Sequence, residues 1–135
     1  MLEASQTRPL GLGEDDMATL EVKNLASPDE TRRFDKGRVE LVQLGNVTAG
    51  RGVFEPGWKW SECVKPIAKT ESCQAPHTLY MISGRMHVRM DDGTERELGP
   101  GDVGVIPPGH DAWIVGNEQC VGIDFTGMGD YATPR

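Results

Sequence analysis

Three side chains that bind metal ions or transfer protons lie close together between residues 71 and 77. The stretch ESCQAPHTLYMISG, residues 71–84, combines a carboxylate, a thiol and an imidazole (Glu71, Cys73 and His77) at the beginning of an apolar run. Side chains two residues apart in an extended segment share a face, so Glu71 and Cys73 would point the same way. Thiolate, imidazole and carboxylate form a mixture that Zn²⁺ accepts in a four-coordinate site. The stretch is therefore a candidate metal site.

Each of these residues also has an ordinary structural interpretation. Cys73 is equally consistent with a small buried hydrophobic residue, because free cysteines are commonly buried. At the start of a strand, His77 would hydrogen-bond to the backbone without any ion nearby, and Glu71 would be an exposed acid. Which interpretation holds depends on the elements that position the three side chains.

The composition describes an acidic chain of one domain's length, with 135 residues and a formal charge of −7. A duplex-binding domain needs a basic face, and the small Lys/Arg clusters here do not supply one, so nucleic acid is not an expected partner. No apolar run approaches the roughly 20 residues that span a bilayer. The N-terminus lacks the basic-then-apolar order of a secretion signal. These features predict a soluble, cytoplasmic protein that is not associated with membranes.

The cysteines do not indicate a disulfide framework. An odd number of them (Cys63, Cys73 and Cys120), in a chain without an apparent export signal, favours free thiols. Cys120 lies in an apolar run and is predicted to pack in the core. The other two thiols remain available as ligands, as reactive groups or as core residues.

Short strands separated by turn signals are predicted along most of the chain. Gly is frequent, at 17 residues, and nine prolines accompany it; Asp92-Gly93 between alternating runs is a strong hairpin signal. A short helical turn is predicted at 27–30, where Ser, Pro and two acids resemble a helix start. The predicted strands are 18–25, 38–44, 46–55, 59–65, 77–83, 85–90, 94–98, 103–106, 111–115 and 120–125.

This pattern indicates an all-β sandwich or barrel. The polar residues 1–17 are interpreted as a flexible lead-in. Residues 18–135 are predicted to form a single domain whose core lies within 38–126. Neither an internal repeat nor a low-complexity tract is evident in the sequence.

The segment GRMHVRMDDGTERELGPGDVGVIPPGHDAW, residues 84–113, resembles the middle of a cupin, a small jelly-roll β-barrel. The second cupin motif is usually Gly, five residues, Pro-x-Gly, two residues, His. Gly101, Pro107 and Gly109 match it, whereas Ala112 occupies the position of the histidine. His110 lies two residues earlier and has the same strand parity as Ala112. The resemblance covers roughly residues 38–126.

The first cupin motif is usually His-x-His, three or four residues, Glu, six residues, Gly. Counting back from Gly84 places His77 at the glutamate position, and Cys73 and Glu71 at the two histidine positions. The spacing is therefore kept although every ligand type differs.

A second register aligns the same motif elsewhere. The motif opens with Gly, five residues and His-x-His. This opening is also matched by Gly57, five residues and Cys63-Val64-Lys65, with a longer loop after it. The two registers exclude each other, and the sequence leaves both open. Under the first register Cys73 would be a candidate ligand, and under the second Cys63 would be.

The resemblance implies a divalent metal held by Cys73, His77 and His110, with Glu71 as a fourth candidate ligand. These ligand types favour Zn²⁺. Fe, Mn and Ni remain alternatives, because Glu71, His77 and His110 would form the imidazole–carboxylate triad of an oxygenase. His87 alternates with two arginines and is predicted to lie on the surface.

Large aromatic side chains are candidates for the wall of a small-molecule pocket: Tyr80, Trp58, Trp60 and Trp113. Trp58-Lys59-Trp60 would place two indoles on one face of a strand, although packing in the core or at a dimer contact is the favoured explanation for them. No phosphate-binding Gly loop and no serine nucleophile motif is evident.

Resemblance to cupins implies a metal-dependent enzyme, oxygenase-like or isomerase-like, that acts on a small organic acid or ring compound, and a dioxygenase-like reaction is favoured. Members of the superfamily that have lost their metal serve as sensors or storage proteins. The alternative is therefore a non-catalytic ligand-binding cupin. Since cupins are often dimers, a homodimer is expected. A fold does not fix a reaction, so the site must decide between these functions.

Overall fold

The computed structural model describes residues 19–126 and 131–132. The segment 1–17, predicted to be a flexible lead-in, lies outside the described residues. The described elements, in chain order, are β1 Glu30–Phe34, β2 Gly37–Leu44, β3 Val47–Phe54, α1 Trp60–Cys63, α2 Lys65–Ala68, β4 His77–Ser83, β5 Arg85–Met90, β6 Glu95–Leu98, β7 Val103–Ile106, β8 His110–Val115 and β9 Cys120–Asp124.

These strands form two antiparallel sheets. One has six strands in the order β1-β2-β3-β9-β4-β7, and the other has three in the order β6-β5-β8. Alternate residues of β4 and β8 are buried, which is the pattern of strands with one face on a core. The predicted all-β, jelly-roll architecture is confirmed. None of the helices in the described part of the chain is long and apolar enough to cross a membrane.

The prediction of a helical turn at 27–30 is wrong. A backbone turn closes there, with Ser27 N–H donating to the Asn24 carbonyl at 2.9 Å, and β1 then begins at Glu30. Pairing of β1 with β2, from Glu30↔Leu41 to Phe34↔Gly37, satisfies the backbone groups that a single helical turn would leave unpaired. The strand expected at 18–25 is also wrong, because residues 19–24 form no regular element.

The strand expected at 59–65 is replaced by the two short helices α1 and α2. Lys59 forms only an isolated bridge with Trp113 before the chain turns. Asp111 Oδ1 accepts a hydrogen bond from the Ser61 N–H at 3.1 Å, which stabilises the first turn of α1 from a neighbouring strand. Pro66 then lies in the first turn of α2, where its missing N–H costs no hydrogen bond.

The fold brings β4, β8 and β9 to one end of the core. β4 and β9 are neighbours in the larger sheet, with Leu79 opposite Asp124. The loop before β4 reaches across to the smaller sheet through an isolated bridge between Cys73 and His110. His77, Leu79 and Met81 are all buried, which confirms the inward face predicted for this strand. The candidate ligands therefore meet between the sheets.

Candidate metal centre

Cys73, His77 and His110 converge on one buried point. One ligand atom from each residue lies within 4.8 Å of the other two, and all three side chains are buried. Cys73 Sγ is 3.8 Å from His77 Nε2. Ligands of a tetrahedral zinc ion lie about 3.4–3.6 Å from one another. The observed spacing is thus close to what a bound ion requires, with adjustments no larger than about 1.4 Å.

The backbone between Cys73 and His110 holds two of these side chains together. The Cys73 N–H donates to the His110 carbonyl at 2.7 Å, and the Gly109 N–H donates to the Cys73 carbonyl at 2.7 Å. Gly109 has a φ of 93°, a left-handed conformation that side chains rarely adopt, and a Cβ there would lie 2.9 Å from Asp91. This glycine therefore lets β8 begin directly beside Cys73.

Hydrogen bonds fix the tautomers of both histidines. His110 Nδ1 is 2.8 Å from the Pro107 carbonyl, which only accepts, so Nδ1 carries the proton. His77 Nδ1 bonds the carboxylate of Asp124, which also accepts when ionised. In each ring Nε2 is the nitrogen left to face the cluster. Metal-binding histidines characteristically donate their other ring N–H to a carboxylate or a carbonyl in this way.

Asp124 is a site residue that the sequence reasoning missed. Its side chain is fully buried, and Oδ1 accepts hydrogen bonds from the backbone N–H groups of Thr78 (3.1 Å) and Thr126 (2.9 Å). The signal was present in β9, where Cys120, Gly122 and Asp124 share the buried face. A carboxylate at an inward position of an apolar strand needs buried partners, and here His77 is one of them.

The electrostatics of the cluster favour a charged pair in the absence of metal. Burial raises the pKa of the Cys73 thiol, but its hydrogen-bond interactions with His110 and His77 outweigh burial and lower that pKa to about 6. Burial lowers the pKa of His77, but its bonds to Asp124 and Cys73 outweigh burial and raise that pKa to about 9. At pH values between these two pKa values, Cys73 is therefore a thiolate and His77 is an imidazolium.

The structure does not bring Glu71 to the cluster. Its side chain is 97% exposed, and its carboxylate lies 3.5 Å from Lys65 Nζ. Lys69 has a left-handed backbone with φ 61°, and residues 70–72 are bends, so the alternation that would align Glu71 with Cys73 does not apply. The prediction that Glu71 points inward beside Cys73 is therefore wrong.

The other register of the first motif does not contribute to this cluster. Cys63 lies in α1, with Sγ 3.8 Å from Asp35, and Lys65 begins α2.

His87 lies on the outward face of β5, as predicted. It stacks on Trp113 with ring centroids 4.8 Å apart and bonds Glu95 at 2.6 Å. Cys120 is fully buried in the core, as predicted, and burial raises its pKa to about 12.

The four aromatic residues expected in a pocket divide into two pairs. Trp58 and Trp60 are each only 2% exposed and lie at the interior cavity beside the cluster. Tyr80 is 45% exposed, because it alternates with the inward residues of β4. Trp113 likewise occupies the outward face of β8, where Lys59 Nζ lies 5.2 Å from its ring centroid. The prediction that Tyr80 and Trp113 line the pocket is therefore wrong.

The cavity beside the cluster has a volume of ≈ 40 Å³. It is bounded by both candidate histidine ligands, by Asp124 and by a mainly apolar and aromatic wall. The residues that line it are Gly52, Phe54, Trp58, Trp60, His77, Leu79, Met86, Ile106, His110, Ala112, Asp124 and Tyr131. A ligand in this cavity would lie directly against the histidine pair.

Solved structures with the same fold have little sequence similarity to this chain. A protein of unknown function from Rhizobium leguminosarum bv. viciae 3841 is 21% identical, with a TM-score of 0.57, covering 87% of this chain and 100% of that one. A polyketide cyclase from Streptomyces resistomycificus is 15% identical, with a TM-score of 0.56, covering 80% and 79%. These similarities establish the fold.

An oxalate decarboxylase from Lactobacillus farciminis, solved as a formate complex, is 19% identical with a TM-score of 0.55. The alignment covers 76% of this chain and 32% of the decarboxylase, so this chain spans about a third of that protein. No curated protein matches the sequence significantly. The family profile described as the EutQ-like cupin domain matches residues 47–121, more than half of the chain. The chain therefore belongs to the family of EutQ-like cupin domains.

Proposed function

We propose that this cupin binds a divalent metal ion through Cys73 Sγ, His77 Nε2 and His110 Nε2. The observation that carries the proposal is the arrangement of the two histidines. Each has its Nδ1–H engaged by an acceptor, which leaves Nε2 to face the thiol. The three protein ligands would leave a fourth position for a ligand molecule, which is the composition of a catalytic zinc site.

Zinc fits this donor set better than iron or manganese does. One sulfur and two imidazole nitrogens are ligands that Zn²⁺ accepts in tetrahedral geometry. An oxygenase with Fe(II) or Mn(II) normally has a carboxylate beside the imidazoles. Glu71 is exposed, and Asp124 is already bonded to His77 and to two backbone N–H groups. We therefore favour Lewis-acid chemistry over O₂ chemistry, with nickel as a further alternative.

The size of the cavity favours a small organic acid as the ligand over a ring compound. An apolar cavity of about 150 Å³ binds benzene, whereas this cavity has a volume of ≈ 40 Å³. The bound metal would polarise an oxygen of the ligand. Leu79, Met86 and Ile106 keep bulk water from the reacting atoms, and Asp124 holds the His77 ring in its orientation.

Cobalt substitution tests the proposed ligand set. Protein loaded with Co²⁺ should show a thiolate-to-cobalt charge-transfer band, because Cys73 Sγ would be bound directly to the ion. Cys73→Ser should lose this band. Cys63→Ser is the matched control, since Cys63 is a second buried thiol located in α1 and should leave the band intact. A charge-transfer band that survives Cys73→Ser would refute the proposed site.

Zinc binding should release about one proton from the Cys73–His77 pair between pH of about 6 and 9. In this window the thiol is already ionised while His77 is still protonated, so the proton on Nε2 must leave when the metal binds. The apparent zinc affinity should rise about tenfold per pH unit across the window and level off above it. Calorimetric titrations in buffers of different ionisation enthalpy measure the release. If no proton is released in this range, the metal does not displace the proton on His77 Nε2, and His77 is not a ligand.

A metal-free ligand-binding cupin is the second candidate function. It is favoured by the chain Cys73–His77–Asp124, in which each polar group finds a partner without an ion. This candidate predicts that a chelator leaves the melting temperature of the purified protein unchanged, whereas the metal proposal predicts that it falls. That the protein is a homodimer located in the cytoplasm remains a prediction from the sequence.

A further inference from the structure

A buried indole nitrogen beside the proposed metal centre lacks a hydrogen-bond partner. Among the buried side-chain nitrogen and oxygen atoms of the described residues, only Trp58 Nε1 is unpaired. Leaving a buried donor unpaired carries a free-energy penalty, so such groups normally have a partner from protein, water or ligand. Trp58 lines the same cavity as His77 and His110. A molecule held in this cavity would therefore lie against the Trp58 ring.

The position of Trp58 is fixed by its surroundings. Its backbone N–H donates to the Glu55 carbonyl at 3.0 Å, and its carbonyl accepts from the Ile114 N–H at 3.0 Å. Its ring packs against Phe54, with the centroids 4.5 Å apart. The side chain is only 2% exposed. A rotation of the ring towards solvent would break this packing, so the acceptor must come to the indole.

The chemistry of the cavity restricts that acceptor. An indole N–H only donates, so it needs an oxygen or another acceptor atom. A divalent ion with one thiolate and two neutral imidazoles has a net charge of +1, to which an anionic oxygen can bind directly, while the Asp124 carboxylate behind His77 offsets that charge over the site as a whole. The rest of the wall is largely apolar, and the volume of ≈ 40 Å³ limits the ligand to a few heavy atoms.

We propose that Trp58 Nε1 anchors a small monocarboxylate whose other oxygen takes the open position on the metal. This inference rests on the proposed function, because the second contact is the metal itself. Recognition at two points would fix the plane of the carboxylate between the indole and the ion. Trp58 is then a specificity-determining residue that selects ligands carrying a second acceptor atom.

Binding of acetate, formate and benzoate to the zinc-loaded protein tests this anchor. The three tryptophans give three indole N–H signals in a ¹H–¹⁵N spectrum, and Trp58→Phe identifies the signal of Trp58. Acetate and formate should move the Trp58 signal downfield and shift the other two much less. Benzoate should bind poorly, because its ring exceeds the cavity.

A substitution that removes the donor and keeps an aromatic ring measures its contribution. Trp58→Phe should weaken acetate binding roughly tenfold to a hundredfold, as expected for the loss of a hydrogen bond to a charged group. Trp113→Phe is the matched control: it truncates an indole on the outward face of β8, outside the cavity, and should leave acetate affinity unchanged. Zinc content should be the same in both variants.

The outcomes separate the two proposals. If zinc does not bind, the proposed function fails and this inference fails with it. If zinc binds but acetate does not move the Trp58 signal, or binds Trp58→Phe as tightly as wild type, only the inference is overturned. The indole would then have an enclosed water as its partner. The spectrum of the wild-type protein decides the question even if Trp58→Phe does not fold.

Discussion

Replacing His77 with alanine should abolish stoichiometric zinc binding. The substitution removes one of three protein ligands, so the loss of affinity should exceed the roughly 10–100-fold that follows when only an outer hydrogen-bond partner of a ligand is removed. The dissociation constant can be measured by competition with a chromophoric chelator. His87→Ala is the matched control, because this histidine lies on the outward face of β5 and should keep wild-type affinity.

The same substitution also leaves the buried carboxylate of Asp124 without its imidazole partner, which should lower the free energy of unfolding. His110→Ala separates the two effects. The His110 ring bonds the Pro107 carbonyl through Nδ1 and faces the Cys73 thiol, so its removal takes away a ligand and leaves Asp124 paired with His77. Zinc affinity that survives both His77→Ala and His110→Ala would contradict the proposed centre.

Asp124→Asn should weaken zinc binding by roughly 10–100-fold or more while keeping the size of the side chain. Oδ1 of Asp124 accepts from two backbone N–H groups, so an asparagine oxygen would be retained at that position. Its NH₂ group would then face His77 Nδ1 and donate to it. The ring would then be neutral and carry its only proton on Nε2, the atom proposed to bind the metal. The same substitution in a Ser-His-Asp triad imposes the wrong histidine tautomer in this way.

Nitrogen-15 chemical shifts of the His77 ring report this change directly. In the metal-free variant we expect a neutral imidazole protonated at Nε2 alone, in contrast to the metal-free wild-type ring, which carries protons on both nitrogens below pH of about 9. Asp92→Asn, in the exposed β5–β6 turn, is the control and should alter neither the tautomer nor zinc affinity. An Asp124→Asn variant with wild-type zinc affinity would show that Asp124 does not orient the ligand.

Most of the strands could be predicted from the sequence because alternation and turn chemistry agree there. The bounds of β4, β5 and β7 coincide with the predicted ranges. The failures lie where tertiary contacts override local pattern. The first turn of the helix at residues 60–63 is stabilised by the carboxylate of Asp111, a residue of β8 that is far away in sequence. Residues 30–34 are a strand because β2 is there to pair with them.

The candidate site could be predicted where the alternation of side chains along a strand decides which way each one points. Cys73, His77 and His110 converge because two strand faces and a backbone bridge point them inward. Glu71 could not be placed by the same rule, because the left-handed Lys69 and the bends that follow break the alternation. Asp124 was overlooked because β9 was interpreted only as an apolar core strand.

Anomalous X-ray scattering at the zinc edge, from crystals of the zinc-loaded protein, tests the central claim most directly. The site requires one peak at metal–ligand distances of about 2.0–2.3 Å from Cys73 Sγ, His77 Nε2 and His110 Nε2. We expect that peak at full occupancy, with its fourth position directed into the cavity that Trp58 lines. A difference map with no peak among these three atoms, or with zinc bound only elsewhere, would contradict the account.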